Sequence, residues 1–508
     1  MCAESMTLRE LAGLSAVGPL QCLPGDADLV ITGLACHANL DDVRPGVLFT
    51  PLDLSPTRAA ALSAQAIARG AAALLLEQPL ALPVPQFIVP ETRPALAHIA
   101  AAFYGYPARQ LRCIGVTGTE GKTTTTFLID AILREAGLRP GLIGTLEWRA
   151  GADWTRHHTQ RTTPEAPTVQ RLLRRMVDAG DQWAILEASS QGLALHRLET
   201  VTFAVGAVTF VTQDHIDVHG SVAAYRRAKA MLFERVADSG GVAVVNADDP
   251  AALAMRAHAG SAPVITYSAE GREATLRATS IAPGRAGTRF TLSLAGTAVP
   301  VSLPLLGAFN VTNALCTAAV AHAIGIPLDH IARSLAAVRP IPGRLAPVAA
   351  GQPFLVLVDE AQSARQLAAA LEIARQLAPE GRVIVLVGGA DTAGAALLHQ
   401  KGKVAALASD FAVFTTQQAH RADPAVLVAH LAAGARAAGG VPDITFACVT
   451  ERRAAISYAL GLAQPGDCVL LAGKADANTL TIGGKTLPWD EVAVARQLLA
   501  EMGYTMPS

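Results

Sequence analysis

The sequence predicts an α/β protein of three domains, and three observations lead there. Its 508 residues exceed what one or two domains hold at about 100–200 residues each. Short apolar runs alternate with helix-period patterns through most of the chain, as they do when strands and helices take turns in layered sheets. A glycine-rich turn, Gly118-Thr119-Glu120-Gly121-Lys122, falls between an apolar run and a helical one.

In the first domain, residues 1–108, Leu29–Ala35, Gly46–Pro51, Ala72–Leu76 and Gln86–Val89 read as strands, and Ser63–Arg69 and Arg93–Tyr104 as helices. The central domain, 109–342, opens with strand Leu111–Val116 feeding a helix from Lys122 to Ala136. Trp183–Leu186, Val205–Thr209 and Gly241–Val245 are continuous apolar runs, as expected of buried parallel strands. Within Ala274–Leu303, Phe290, Leu292 and Leu294 alternate with Thr291 and Ser293, the pattern of a small antiparallel sheet; helix Val311–Ile324 follows. Pro340-Ile341-Pro342-Gly343 cannot continue a helix and marks a hinge. In the third domain, 343–508, strands Phe354–Val358, Arg382–Val387, Phe411–Thr415 and Cys468–Ala472 are separated by helical patterns, which predicts a doubly wound, Rossmann-like parallel sheet.

Composition narrows the class. Hydrophobic residues make up 51% and charged residues 16%, too apolar for a disordered chain and ample for several cores. The net charge of −1 gives no electrostatic case for nucleic acid or an anionic membrane. No run reaches the roughly 18 apolar residues of a membrane span, and Ala71–Leu76 soon meets Glu77 and Pro79. The first ten residues carry Glu4, Arg9 and Glu10 in place of a signal peptide's apolar core. The expectation is a cytoplasmic monomer. Seven scattered cysteines with no CxxC pair read as small buried hydrophobes, not as a disulfide framework or a zinc site.

The chemistry centres on Gly118-Thr119-Glu120-Gly121-Lys122-Thr123-Thr124. Glycines let backbone N–H groups close around phosphate oxygens, and a helix N-terminus adds partial positive charge. Lys122 suits the terminal phosphates and the Thr123 hydroxyl suits Mg²⁺. The spacing is shorter than GxxxxGK[ST], with Val116 at the first glycine position. Glu187 closes an apolar strand, where a carboxylate holds Mg²⁺ or, equally, serves a loop or helix cap. Asp214-His215-Ile216-Asp217 with His219 follows another strand and suits a second divalent ion, though Asp and His are also ordinary loop residues. Read alone, Lys229 in Tyr225-Arg226-Arg227-Ala228-Lys229 is an exposed helix lysine.

Taken together and in this order, these segments resemble the Mur ligase family, ATP-dependent enzymes that join an amino acid to a carboxylate in peptidoglycan assembly. The resemblance is strongest to the branch that adds the third residue. It rests on Gly118–Thr124, Thr162-Thr163-Pro164-Glu165, Glu187-Ala188-Ser189-Ser190, Asp214–Gly220, Tyr225–Phe233, Val244–Pro250, Gly307–Asn313 and Pro342-Gly343-Arg344. It implies a uridine-nucleotide domain, a P-loop ATPase domain and an amino-acid domain. Gly118, Thr119, Gly121, Lys122, Thr123 and Thr124 would hold ATP with Asn310, Arg344 and Asp359. Thr123, Glu187, His215 and a carbamylated Lys229 would hold two Mg²⁺ ions. Lys122, Lys229 and His215 would serve catalysis, and Thr162, Thr163 and Ser189 the substrate. The implied substrates are a nucleotide-sugar peptide or another carboxylate, plus an amino acid. Closure about Pro342-Gly343 would keep water from an acyl phosphate.

The departures lie at the substrate ends. The family's aspartate, serine and arginine for the uridine nucleotide fall on Asn39-Leu40-Asp41. The third-domain motifs read Asp359-Glu360-Ala361-Gln362-Ser363-Ala364, Gly388-Gly389-Ala390-Asp391, Gln417-Gln418-Ala419-His420 and Gly473-Lys474-Ala475-Asp476-Ala477. They lack the arginine and glutamate that would complement an amino acid's carboxylate and amine. Phe210 and Gln191 replace an asparagine and a histidine, neither of them a metal ligand. An active ligase, in peptidoglycan synthesis or on another carboxylate, and an ATP-binding scaffold therefore both remain open at this level.

Overall fold

The computed structural model describes residues 5–14, 21–22, 28–36, 40–156, 161–212, 216–475 and 479–505. They form two compact units, the first from residues 1–281, 290–301 and 309–336, the second from 282–289, 302–308 and 337–508.

The first unit is built around two larger sheets. In the smaller one, strands β1 (Gly33–Cys36), β2 (Val47–Thr50), β3 (Ala73–Leu76) and β4 (Gln86–Ile88) lie parallel in chain order. Helices α1 (Pro56–Ala68) and α2 (Thr92–Phe103) accompany them. Two expectations are corrected here. Leu29–Ala35 is not one strand: Val30–Ile31 pairs antiparallel with Met6–Thr7, and only Gly33–Cys36 joins the parallel sheet. The break is at Thr32, whose N–H donates to Gly46 O at 2.9 Å and whose hydroxyl donates to Pro45 O at 3.0 Å. The helix expected from Ser63 starts at Pro56, because proline's fixed φ and missing N–H suit the first helical position.

The larger sheet contains β5 (Arg112–Thr117), β6 (Pro140–Ile143), β7 (Glu147–Ala150), β8 (Asp153–Arg156), β9 (Trp183–Glu187), β10 (Phe203–Val208), β11 (Val242–Asn246) and β12 (Val264–Ser268), in the order β8-β7-β6-β9-β5-β10-β11-β12. From β6 to β12 the pairing is parallel, and the edge strands β7 and β8 are antiparallel. That antiparallel edge was not legible, because Glu147, Arg149, Asp153 and Arg156 make it too polar for a strand search. Helices α3 (Lys122–Glu135), α4 (Ala166–Asp178), α5 (Val222–Asp238) and α6 (Phe309–Ala323) belong to this unit. Leu172, Leu173 and Met176 of α4 share one apolar core with Leu232, Phe233 and Val236 of α5 and with strand residues Leu186 and Phe203. The alternating segment forms three successive strands, Leu276–Gly284, Gly287–Leu294 and Thr297–Leu303.

The second unit contains β13 (Leu355–Asp359), α7 (Ala364–Leu377), β14 (Val383–Ala390), α8 (Ala395–Ala408), β15 (Phe411–Gln418), α9 (Pro424–Ala437), β16 (Phe446–Cys448), α10 (Arg452–Leu462), β17 (Cys468–Ala472) and α11 (Glu491–Glu501). The sheet order is β13-β17-β14-β15-β16, all parallel, with Ala346–Pro347 added antiparallel beside β13. Two of its six strands, Ala346–Pro347 and Phe446–Cys448, are too short for an apolar pattern to announce. Leu371, Leu398 and Leu431 of α7–α9 pack in one core, and Ile456 and Leu498 of α10 and α11 in another on the opposite face. Among the described residues Cys113, Cys316 and Cys468 are buried free thiols, as expected, whereas Cys448 is exposed.

One buried ion pair ties this second unit together. Arg452 and Glu491 are each fully removed from solvent, with Arg452 Nε 3.1 and 2.9 Å from the two Glu491 oxygens. Trp489 Nε1 donates to the same carboxylate at 2.6 Å, and Arg452 also reaches the carbonyls of Thr416 and Ala472. Removing one partner strands a buried charge, so Glu491→Ala should destabilise this unit by about 3–5 kcal/mol. Urea unfolding followed by circular dichroism should show the lower midpoint, and Glu491→Gln should lie between the two.

Candidate functional site

The parallel register builds the site. Strand β5 is central, with β9 on one side and β10 on the other; Glu187 pairs with Val116 and Val208 with Thr117. The turn after β5 therefore emerges between the carboxyl ends of its two neighbours, where parallel sheets bind ligands. Gly118 and Gly121 have φ of +148° and +84°, which only glycine adopts at low cost. A Cβ on Gly118 would stand 1.9 Å from Thr209 Oγ1, and one on Gly121 2.4 Å from Asn313 Oδ1. The turn is bare backbone at both ends and opens onto the first turn of α3, in which Thr123 and Thr124 are buried.

Two ammonium groups converge on the turn. Lys122 Nζ donates to the carbonyls of Gly118 and Thr119, both at 3.0 Å. Lys229 Nζ donates to the same Gly118 carbonyl at 2.7 Å and lies 4.5 Å from the Tyr225 ring centre. Lys229 is 1% exposed, which corrects the reading of it as a solvated helix lysine. Tyr225 and Lys229 are one helical turn apart on α5, and the Tyr225 hydroxyl bonds Thr119 Oγ1 at 2.8 Å.

Glu187 is fully buried at the end of β9. Its carboxylate accepts from Thr123 Oγ1 at 3.1 Å, Thr145 N–H at 2.9 Å and Thr145 Oγ1 at 2.9 Å. Thr145 Oγ1 also lies 3.1 Å from Thr162 Oγ1, while Thr163 Oγ1 donates to Glu187 O at 2.6 Å and lies 2.9 Å from Ser189 Oγ. The Ser189 hydroxyl also caps the short helix Ser190–Ala194 through Gly192 N–H. So Thr123, Glu187, Thr162, Thr163 and Ser189 lie in one continuous network, joined to the glycine turn through Thr123. Asn310 belongs to the same region: its Oδ1 accepts from Asn313 Nδ2 at 3.0 Å, and Asn313 abuts Gly121.

Two groups of expected residues remain. Asn39, Asp214, His215, Asp476 and Ala477 lie outside the described residues. Arg344 and Asp359 belong to the second unit, where Arg344 pairs with Glu360 and Asp359 accepts from the N–H groups of Leu345 and Ala361. Burial pushes the Asp359 carboxyl above its ordinary pKa, against those two donors and Arg344.

Several participants were not singled out from sequence. Thr145 sits in a Gly-Thr-Leu turn with no distinguishing pattern. Arg197 is buried, donates to Thr163 O at 2.9 Å and pairs with Glu165 at 2.8 Å. Glu165 also meets Arg161 at 2.8 Å and Arg93 at 3.1 Å. Arg93 pairs in turn with Asp53 beyond β2, so the Thr162–Glu165 segment is fastened to the smaller sheet's domain. Tyr225 and Asn313 lay inside motifs quoted for the resemblance, and their contacts with Thr119 and Gly121 give them a place.

The donor set fits the groups that the resemblance implies. Two converging ammoniums, a bare-backbone turn and a helix N-terminus suit a polyphosphate. The Thr123 hydroxyl and Glu187 carboxylate supply the hard oxygen ligands that Mg²⁺ takes. Among the described residues no helix is long and apolar enough to cross a membrane.

Comparison with known proteins identifies the family. Residues 116–321 match the Mur ligase middle domain, and residues 343–475 match the Mur ligase, glutamate ligase domain. The UDP-N-acetylmuramyl-tripeptide synthetase of Roseiflexus sp. (strain RS-1) is 41% identical over 91% of this chain and 93% of its own length. The UDP-N-acetylmuramoyl-L-alanyl-D-glutamate–2,6-diaminopimelate ligase of Geobacillus kaustophilus (strain HTA426) is 38% identical over 86% of this chain and 89% of its own. A solved UDP-N-acetylmuramoyl-L-alanyl-D-glutamate–2,6-diaminopimelate ligase superposes with a TM-score of 0.66 at 25% identity, covering 99% of this chain and all of that one. With its glycine turn, its converging lysines and likeness along nearly its whole length, the chain belongs to the Mur ligase family.

Proposed function

We propose that the chain is an ATP-dependent ligase of peptidoglycan precursor synthesis that couples an amino acid to the carboxylate of a UDP-N-acetylmuramoyl peptide. The observation that carries this is the convergence of Lys122 and Lys229 on the Gly118 carbonyl, with Glu187 bonded to Thr123 in the first turn of the helix that follows. The relatives' names support the substrate class. In this reading residues 1–108 serve the uridine nucleotide, 109–342 the ATP and 343–508 the amino acid.

The chemistry is carboxylate activation. A carboxylate oxygen of the acceptor attacks the terminal phosphorus of ATP and ADP departs. The amine of the amino acid attacks the resulting acyl phosphate; the tetrahedral intermediate expels phosphate, the amine gives up a proton to solvent, and an amide remains. Lys122 balances the charge that gathers on the transferred phosphoryl oxygens, and the turn's N–H groups orient them. Thr123 and Glu187 would hold Mg²⁺, which supplies further charge stabilisation when bound. Thr145 fixes the Glu187 carboxylate in place, as an orienting partner does for a metal ligand. Lys229 lies at the same turn. As a carbamate, formed when its neutral amine adds CO₂ and loses a proton, it would offer an anionic oxygen in place of an ammonium.

Four measurements test this. With ATP, UDP-N-acetylmuramoyl-L-alanyl-D-glutamate and a panel of amino acids, phosphate release should require both the acceptor and one amino acid. Lys122→Met should lower kcat/KM by about 10³ or more with circular dichroism unchanged. ATP binding with no acceptor-dependent release would identify a scaffold instead. Glu187→Gln should raise the Mg²⁺ concentration needed for half-maximal rate by roughly 10–100-fold, with a smaller rise for Thr123→Ser. Finally, depleting CO₂ should slow the wild-type enzyme and added bicarbonate should restore it, whereas Lys229→Ala should be slow and indifferent to both.

A further inference from the structure

In the second unit, Lys401 on α8 is 2% exposed. Its Nζ donates to Gly388 O at 3.3 Å, a long bond for a group with three donors, and no carboxylate among the described residues lies within ion-pair reach. One neighbour adds positive charge. Arg452 is fully buried nearby, and its own counter-ion, Glu491, is committed to it and to Trp489. Burial, helped by the field of Arg452, lowers the Lys401 pKa to about 8.

The position of this ammonium is as informative as its charge. It lies between Gly388, near the carboxyl end of β14, and Gly473, just beyond β17; a Cβ on Gly473 would stand 3.7 Å from Lys401 Nζ and 2.9 Å from Gln417 Oε1. Strands β14 and β17 are neighbours, yet the chain leaves β14 for α8 on one face, whereas after β17 it forms the hairpin Thr479–Ile482 and Lys485–Pro488, bridged to Ala419 beyond β15, before reaching α11 on the other face. That divergence opens the crevice in which doubly wound sheets bind ligands, and glycines at both strand ends leave the backbone open to close approach. Two neutral amides line it: Gln417 Nε2 donates to Gln362 Oε1 at 3.0 Å, and Gln362 Nε2 donates to Gly473 O at 2.9 Å.

We propose that Lys401 is a specificity-determining residue that pairs with a carboxylate of the amino-acid co-substrate in the crevice between β14 and β17. This rests on the ligase reading above. A lysine retained only for packing would gain nothing from its charge, since an ammonium buried without a counter-ion is unfavourable. A carboxylate arriving with the substrate supplies that counter-ion.

The test is calorimetric titration of the full chain, with a non-hydrolysable ATP analogue and the UDP-muramoyl dipeptide present, using 2,6-diaminopimelate, L-lysine, L-lysinamide and inorganic phosphate. Wild type, Lys401→Met and Lys401→Arg are compared. A tenfold or greater loss in Lys401→Met confined to diaminopimelate identifies the distal carboxylate; an equal loss for diaminopimelate and L-lysine identifies the α-carboxylate; either supports the proposal, as does partial recovery in Lys401→Arg. Unchanged amino-acid affinity in a folded Lys401→Met, a loss confined to phosphate, or a wild type that binds none of the amino acids overturns it. Should Lys401→Met not fold, Lys401→Gln replaces it in the same comparison. Phosphate release is measured separately. A chain that turns over yet ignores Lys401 keeps the ligase reading and loses this one, and a chain that binds carboxylates through Lys401 without turnover does the reverse.

Discussion

The carbonyl oxygen of Gly118 is the point on which the first unit's site depends. Two ammonium groups donate to it, one from the helix that begins four residues later and one from a helix more than a hundred residues away. Like charges do not share one acceptor cheaply, and Lys229 is nearly fully buried while doing so. In the proposed reading a polyphosphate takes up the Lys122 ammonium at this turn, and conversion of Lys229 to a carbamate removes the second positive charge from the same carbonyl. The backbone that makes the approach possible is equally constrained, since Thr209 and Asn313 leave no room for a side chain at Gly118 or Gly121.

The register of three parallel strands converts that local geometry into a working set. Pairing β9 with β5 places Glu187 level with Val116, so its carboxylate meets the first turn of α3 at Thr123. The Thr145 N–H and hydroxyl then hold the carboxylate from the other side. A one-residue slip would turn Glu187 to the opposite face of the sheet, because side chains alternate along a strand. The apolar residues of β9, buried throughout, fix the register; the carboxylate's position follows from packing by side chains that do no chemistry.

How far the sequence could be read follows from how local each feature is. The glycine turn was legible because all its parts lie within seven residues and its strand and helix flank it directly. Glu187 was only half legible: its place at a strand end was visible, but its hydrogen bond to Thr123 is a contact between distant segments. Thr145, Arg197 and the burial of Lys229 were not legible, because each depends on which loops the sheet order brings side by side. In the smaller sheet, the split at Thr32 escaped for the same reason, being set by a bond to the turn at Pro45-Gly46.

The charged residues of the second unit show the limit most sharply. Nothing in the sequence around Lys401-Gly402-Lys403, Arg452 or Glu491 marks which of these charges is buried. In the fold, Lys403 is exposed whereas Lys401, two residues away, is buried beneath the strand ends. Helix geometry accounts for the difference, since positions two apart point about 200° from each other around the axis. Gly402 between them lets α8 press against α9, where a Cβ would stand 1.9 Å from Leu431 O. That close approach draws the Lys401 side of the helix into the sheet's crevice. The eroded motifs begin at the carboxyl ends of β13, β14, β15 and β17, where Lys401 also lies, and it is the physical chemistry of that place, more than any single motif, that would decide which amino acid the enzyme accepts.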